Sequence, residues 1–210
     1  MVGSAECPPS EALWQRRRRA FVYLETLMVQ KVIYFHGYGS NGNTDTAKNL
    51  RSALGADFDV VSPSYNGSLP AEAARALQCV CLRDTAAHPI LVGTSLGGFF
   101  ANYFSRTLGL PAVIINPSLT PSVSLKKYGE HPDVSNAYAA LEAAERRCTT
   151  RPARIVILGM QDEVLDHAKN GLLLKDVAQI VQIPMGHRVD AAQIGVVADA
   201  VRSLTHHVAE

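Results

Sequence analysis

No apolar run in the 210 residues reaches the ~18 needed to span a membrane. No charge of one sign dominates either. The formal net charge is +1 at pH 7 and charged residues make up 19% of the chain, so nothing global points to nucleic acid or an anionic surface as a partner. The one dense basic run, Arg16-Arg17-Arg18-Arg19, is local and reads as a solvated stretch. Within it, Arg18-Arg19-Ala20-Phe21 has the look of a twin-arginine export signal. Against export, Glu25 interrupts the apolar stretch and no A-x-A-like cleavage site follows before Lys31. Cysteine is sparse, at Cys7, Cys79, Cys81 and Cys148. Cys79 and Cys81 are two apart on a helical stretch, where side chains face different ways. A lone C-x-C also lacks the second cluster that a zinc site needs. All four are read as reduced thiols of a cytoplasmic protein, and neither a metal nor a cofactor is expected. Internal repeats and low-complexity linkers are missing too.

What is present suits one soluble domain. The hydrophobic fraction is 47%, enough for a single sizeable core in a chain of this length. Residues 1–27 are rich in Pro, Glu and Arg and then weakly apolar, and a strong strand pattern begins just after Met28. The domain proper is therefore expected over 28–210, with 1–27 either a dispensable, disordered extension or a misassigned start.

From residue 31 two periodicities alternate. Short, β-branched-rich runs predict strands at 31–35, 58–65, 89–93, 111–117, 153–159 and 177–184. Helical spacing falls at 44–54 (with Thr44 or Asp45 as cap), 70–84, 96–109, 133–148, 167–175 and 190–207. Residues 118–136 show turn residues and no clear period. Strands alternating with helices mean β-α-β units, hence a mostly parallel sheet covered by helices on both faces. Reactive groups of such sheets collect at the carboxyl ends of the strands.

Those ends carry chemistry here. His36-Gly37-Tyr38 follows the first strand, Thr94-Ser95-Leu96 the third, Asp162 the fifth and His187 the sixth. Gly93-Thr94-Ser95-Leu96-Gly97 fits G-x-S-x-G, a pattern too short to carry weight alone. Its context strengthens it, because the order Ser, Asp, His is that of a nucleophile elbow on a parallel sheet. An elbow strains the backbone, so Gly93 and Gly97 suit the positions flanking Ser95. Ser95 needs a base, and His187 is proposed, since an unperturbed imidazole titrates near ~6.5. Asp162 would orient that imidazole, with Glu163 and Asp166 as alternative acids. The backbone N–H groups of Leu96 and Tyr38 are candidates for an oxyanion hole. His36 and Gly37 are expected to shape the loop bearing Tyr38. The remaining histidines, His88, His131, His167, His206 and His207, are read as surface residues.

The segments "IYFHGYGSN", "LVGTSLGGFFANYFS", "AVIINPSLTP", "VILGMQDEVLDH" and "MGHRV" resemble the α/β-hydrolase superfamily, and within it the small YqiA/YcfP-type bacterial serine esterases. "INPSLTP" and "DEVLDH" are the more specific pieces, because they are not generic to the superfamily. The resemblance implies Ser95, Asp162 and His187 as the triad and a small acyl ester as substrate, with acyl-CoA thioesters included. Some members carry glycine at the elbow serine; this chain keeps Ser95. Residues 118–136 are too few for a substantial lid, so an open site and short acyl chains are expected. The competing reading is a catalytically silent protein that binds a ligand on the same fold. Oligomeric state is not legible in the sequence.

Overall fold

The computed structural model describes residues 29–83 and 88–205. The expected extension over 1–27, with Cys7 and the arginine run, lies outside the described residues, as do His206 and His207.

Among the described residues, six strands form one parallel sheet. They are β1 (Gln30–Phe35), β2 (Phe58–Val61), β3 (Ile90–Thr94), β4 (Ala112–Ile115), β5 (Arg154–Gly159) and β6 (Gln179–Ile183), in the spatial order β2-β1-β3-β4-β5-β6. The interior strands β3, β4 and β5 are buried along their whole length, which is why they read as nearly continuous apolar runs, with Thr94 and Arg154 as polar ends. The strand expected over 58–65 stops at Val61. Pro63 follows, and proline cannot donate to a sheet ladder.

The helices are α1 (Asp45–Leu54), α2 (Pro70–Arg83), α3 (Leu96–Leu108), α4 (Pro132–Arg146), α5 (His167–Leu174) and α6 (Ile194–Leu204). Thr44, not Asp45, caps α1 by accepting the Ala47 N–H. Helix α6 begins four residues later than the expected 190, because Ala191–Gln193 form turns ahead of it.

Side chains alternate across each strand, and two cores result. Ile33 and Phe35 pack with Leu77, Phe100, Phe104 and Tyr138 on the face covered by α2, α3 and α4. Val32 and Tyr34 pack with Leu50, Val197 and Val201 on the face covered by α1 and α6. Cys81 is one of the buried residues of the first core, and burial pushes its thiol up to about 12. Cys79, Cys81 and Cys148 are free thiols. Among the described residues, no helix is long and apolar enough to cross a membrane.

All six strands point the same way, so their carboxyl ends share one edge. The crossing from β1 outward to β2, and from β3 toward β6, opens a crevice at that edge.

Candidate active site

Ser95 stands between β3 and α3 with φ 57° and ψ −117°. L-residues rarely adopt that backbone, and its neighbours hold it there. The Ser95 N–H donates to the Ile115 carbonyl at 3.0 Å, while the Ser95 carbonyl accepts from the N–H of Ser118 at 3.0 Å and of Phe99 at 3.2 Å. The two glycines of the turn answer to close approach. A Cβ on Gly93 would sit 2.0 Å from the Gly97 carbonyl oxygen, and one on Gly97 would sit 2.0 Å from that of Phe35. No side chain fits at either position.

The structure brings Ser95, His187 and Asp162 together. Ser95 Oγ lies 3.0 Å from His187 Nε2, and His187 Nδ1 lies 2.8 Å from Asp162 Oδ2. An ionised carboxylate only accepts, so Nδ1 carries its proton toward Asp162. Nε2 is then free to accept from the serine hydroxyl. Burial pushes the Asp162 carboxyl upward, but hydrogen bonds from His187 and from the N–H groups of Leu165 and Val164 outweigh it, and the group ends below the usual carboxylate range.

The neighbouring acids are occupied elsewhere. Asp166 caps α5 by accepting the Ala168 N–H at 3.0 Å, and Glu163 accepts the backbone N–H of His187 at 3.2 Å. Leu96 is the first residue of α3, where helix N–H groups have no partner within the helix. The loop after β1 lies alongside, since a Cβ on Gly37 would meet the Ser95 Cβ at 3.6 Å. His36 is buried beneath this loop and stacked on Tyr65. Its Nε2 accepts the Tyr65 N–H at 3.3 Å, so its Nδ1–H donates to the Gly37 carbonyl at 2.8 Å. Burial holds this imidazole below its ordinary value, against the raising effect of the Gly37 bond. Both ring nitrogens are engaged in holding the loop.

Residues 31–193 match the Uncharacterised protein family (UPF0227). The chain belongs to this family. A UPF0227 protein of Vibrio atlanticus is 27% identical over 154 residues, covering 71% of this chain and 86% of that protein. Among solved structures, mouse alpha/beta hydrolase domain-containing protein 10 superposes with a TM-score of 0.62 at 17% identity, covering 87% of this chain and 92% of the other. S-formylglutathione hydrolase from Staphylococcus aureus gives a TM-score of 0.58 at 17% identity, with 90% and 85% covered. The fold of this UPF0227 member is therefore that of the α/β-hydrolases, as its sequence resemblance implied.

Not every expectation survives. His88 and His131 are exposed, but His167 is not a surface residue. Its side chain is only 10% exposed, and its Nε2 lies 2.6 Å from Asp162 Oδ2. The chain turns back at the Asp166 cap, which points the first residue of α5 inward toward the acid. Asn116, fully buried with φ 41°, joins the site without any motif to mark it. Its Nδ2 donates to the carbonyls of Gly186 at 2.9 Å and His187 at 3.1 Å, and its Oδ1 accepts the Gly159 N–H at 2.7 Å. One side chain thus ties the end of β5 to the loop bearing His187. The available signal was its place at the carboxyl end of β4, where the other site residues also gather.

Ser95 and His187 open into a cleft of about 860 Å3. Residues Pro121–Ser124 form a short helical turn and Leu125–Tyr128 a 3-10 turn, structure that the aperiodic sequence over 118–136 did not announce. This segment straps across the cleft. Tyr128 stacks on Tyr38 at 6.1 Å, and Lys127 Nζ donates to the Val164 carbonyl at 2.8 Å. Among the described residues, no group of three or more His, Cys, Asp or Glu side chains is arranged to hold a metal ion.

Proposed function

We propose that this chain is a serine hydrolase that cleaves short-chain carboxylic esters or thioesters through an acyl-enzyme on Ser95. The observation that carries the reading is the unbroken hydrogen-bond chain from Ser95 Oγ through His187 to Asp162, with the serine held on a strained elbow. In this reading Ser95 Oγ attacks the acyl carbon while its proton passes to His187 Nε2. The N–H groups of Leu96 and Tyr38 stabilise the oxyanion, each such donor contributing ~10²–10³ in rate. Collapse of the tetrahedral adduct breaks the bond to the leaving oxygen or sulfur, which takes the proton from His187. Water, deprotonated by the same imidazole, then releases the acid and restores Ser95. Asp162 keeps the imidazole in the required tautomer and balances its charge.

The strap limits the acyl group. Leu125 is buried and Tyr128 leans on Tyr38, so the space beside Ser95 is partly filled and the remainder of the cleft is open to water. Fold likeness to S-formylglutathione hydrolase agrees with the reading. The cytoplasm is the proposed compartment, on the free thiols alone. Turnover of a panel of acyl esters and acyl-CoAs by wild type and Ser95→Ala tests the function. The expected result is hydrolysis by wild type that Ser95→Ala abolishes; activity surviving in the folded variant would overturn it.

A further inference from the structure

The proposed hydrolysis leaves one buried imidazole beside its own carboxylate without a task. Asp162 is almost fully enclosed, with its side chain 1% exposed, and it receives four donors. The N–H groups of Val164 and Leu165 bind Oδ1 at 2.7 and 2.9 Å. On Oδ2, His187 Nδ1 at 2.8 Å shares the oxygen with His167 Nε2 at 2.6 Å. The two backbone bonds anchor Oδ1 but leave the carboxylate able to swing Oδ2. A second donor on Oδ2, His167, restricts that swing while the same oxygen faces His187.

The tautomer of His167 is fixed by a second side chain. Asn170 Nδ2 donates to the Pro117 carbonyl at 2.7 Å, and a carbonyl can only accept, so the amide orientation is determined. The same Nδ2 lies 3.1 Å from His167 Nδ1. That nitrogen must therefore accept, so the ring carries its proton on Nε2, facing Asp162. The other acid beside His167, Asp166, is engaged with the Ala168 N–H.

We propose that His167 is a positioning residue for the reaction: a neutral donor, held by Asn170, that locks the Asp162 carboxylate onto His187. The proposal rests on the hydrolase reading above. It acts through Asp162 and so affects the chemical step rather than substrate binding.

Two substitutions test it. In His167→Leu the donor is lost, and kcat is expected to fall about tenfold or more with KM within about twofold. In His167→Gln the side-chain amide can still donate toward Oδ2, and kcat is expected within about threefold of wild type. His167→Asn, whose amide is too short to reach, replaces the leucine variant if that one does not fold. Imidazole 15N shifts provide a readout independent of turnover. Wild type should show His167 as the neutral Nε2–H tautomer, and the His187 Nδ1–H signal should move in His167→Leu but persist in His167→Gln. Wild-type kcat in the leucine variant, or a loss that glutamine fails to recover, would overturn the proposal. If wild type hydrolysed no ester, the hydrolase reading would fall, and the His187 signal alone would decide the coupling: unchanged in His167→Leu, it too would be refuted.

Discussion

Asn116 grips the loop of His187 through the carbonyl of that very residue, with Nδ2 donating across 3.1 Å from the end of β4. The same side chain binds Gly186 and Gly159 and is wholly buried. Removing it leaves a buried N–H and two carbonyls unpaired, and puts alanine at φ 41°. Asn116→Ala is therefore expected to lose about 2–4 kcal/mol of stability, read by urea unfolding. The proposed hydrolysis should fall as well, because His187 is no longer held beside Ser95. A change under about 0.5 kcal/mol would contradict this account of the contact.

The pH dependence separates two groups. The Asp162 carboxyl lies below its usual range in the folded protein. Its contribution to stability is thus fully present above the unfolded value of about 3.9 and is lost as pH falls through the folded value. Unfolding measured against pH should show wild type more stable than Asp162→Asn above that window, with the difference shrinking below it. Hydrolysis should also fall on the acid side, because a protonated imidazole cannot accept the serine proton. An activity profile that stays flat down to the window in which Asp162 is protonated would count against His187 as the base.

Acyl preference follows from the strap. Leu125 and Tyr128 line the cleft that holds Ser95, and Tyr128 stacks on Tyr38. Kinetics on a series of acyl esters should favour butyryl over long-chain substrates. A preference of about tenfold or more in kcat/KM for the long chains would contradict the reading.

Much of the fold could be read from periodicity, because strands covered on both faces are apolar over most of their length. Ile90–Val92 in β3 and Ile155–Leu158 in β5 are examples. The elbow was legible for a related reason: Gly93 and Gly97 are dictated by backbone contacts, not by taste in composition. The choice among Asp162, Glu163 and Asp166 was open in sequence, since it depends on how one turn folds, and only the geometry puts Asp162 against His187. His167 escaped for the same reason. It lies five residues past Asp162, where a helix start reverses the chain, and its neighbours along the sequence do not reveal the inward turn. Asn116 offered only its place at the carboxyl end of β4 as a signal, because its partners lie 43 to 71 residues away.

The most direct measurement is covalent labelling by a fluorophosphonate, which reacts with an activated serine and does not depend on knowing the substrate. Wild type should take up one label, located at Ser95 by peptide mass mapping. Ser95→Ala should take up none, and His187→Ala should react far more slowly. Folded wild type that stays unlabelled, or label that persists in Ser95→Ala, would contradict the central claim that Ser95 is a nucleophile activated by His187.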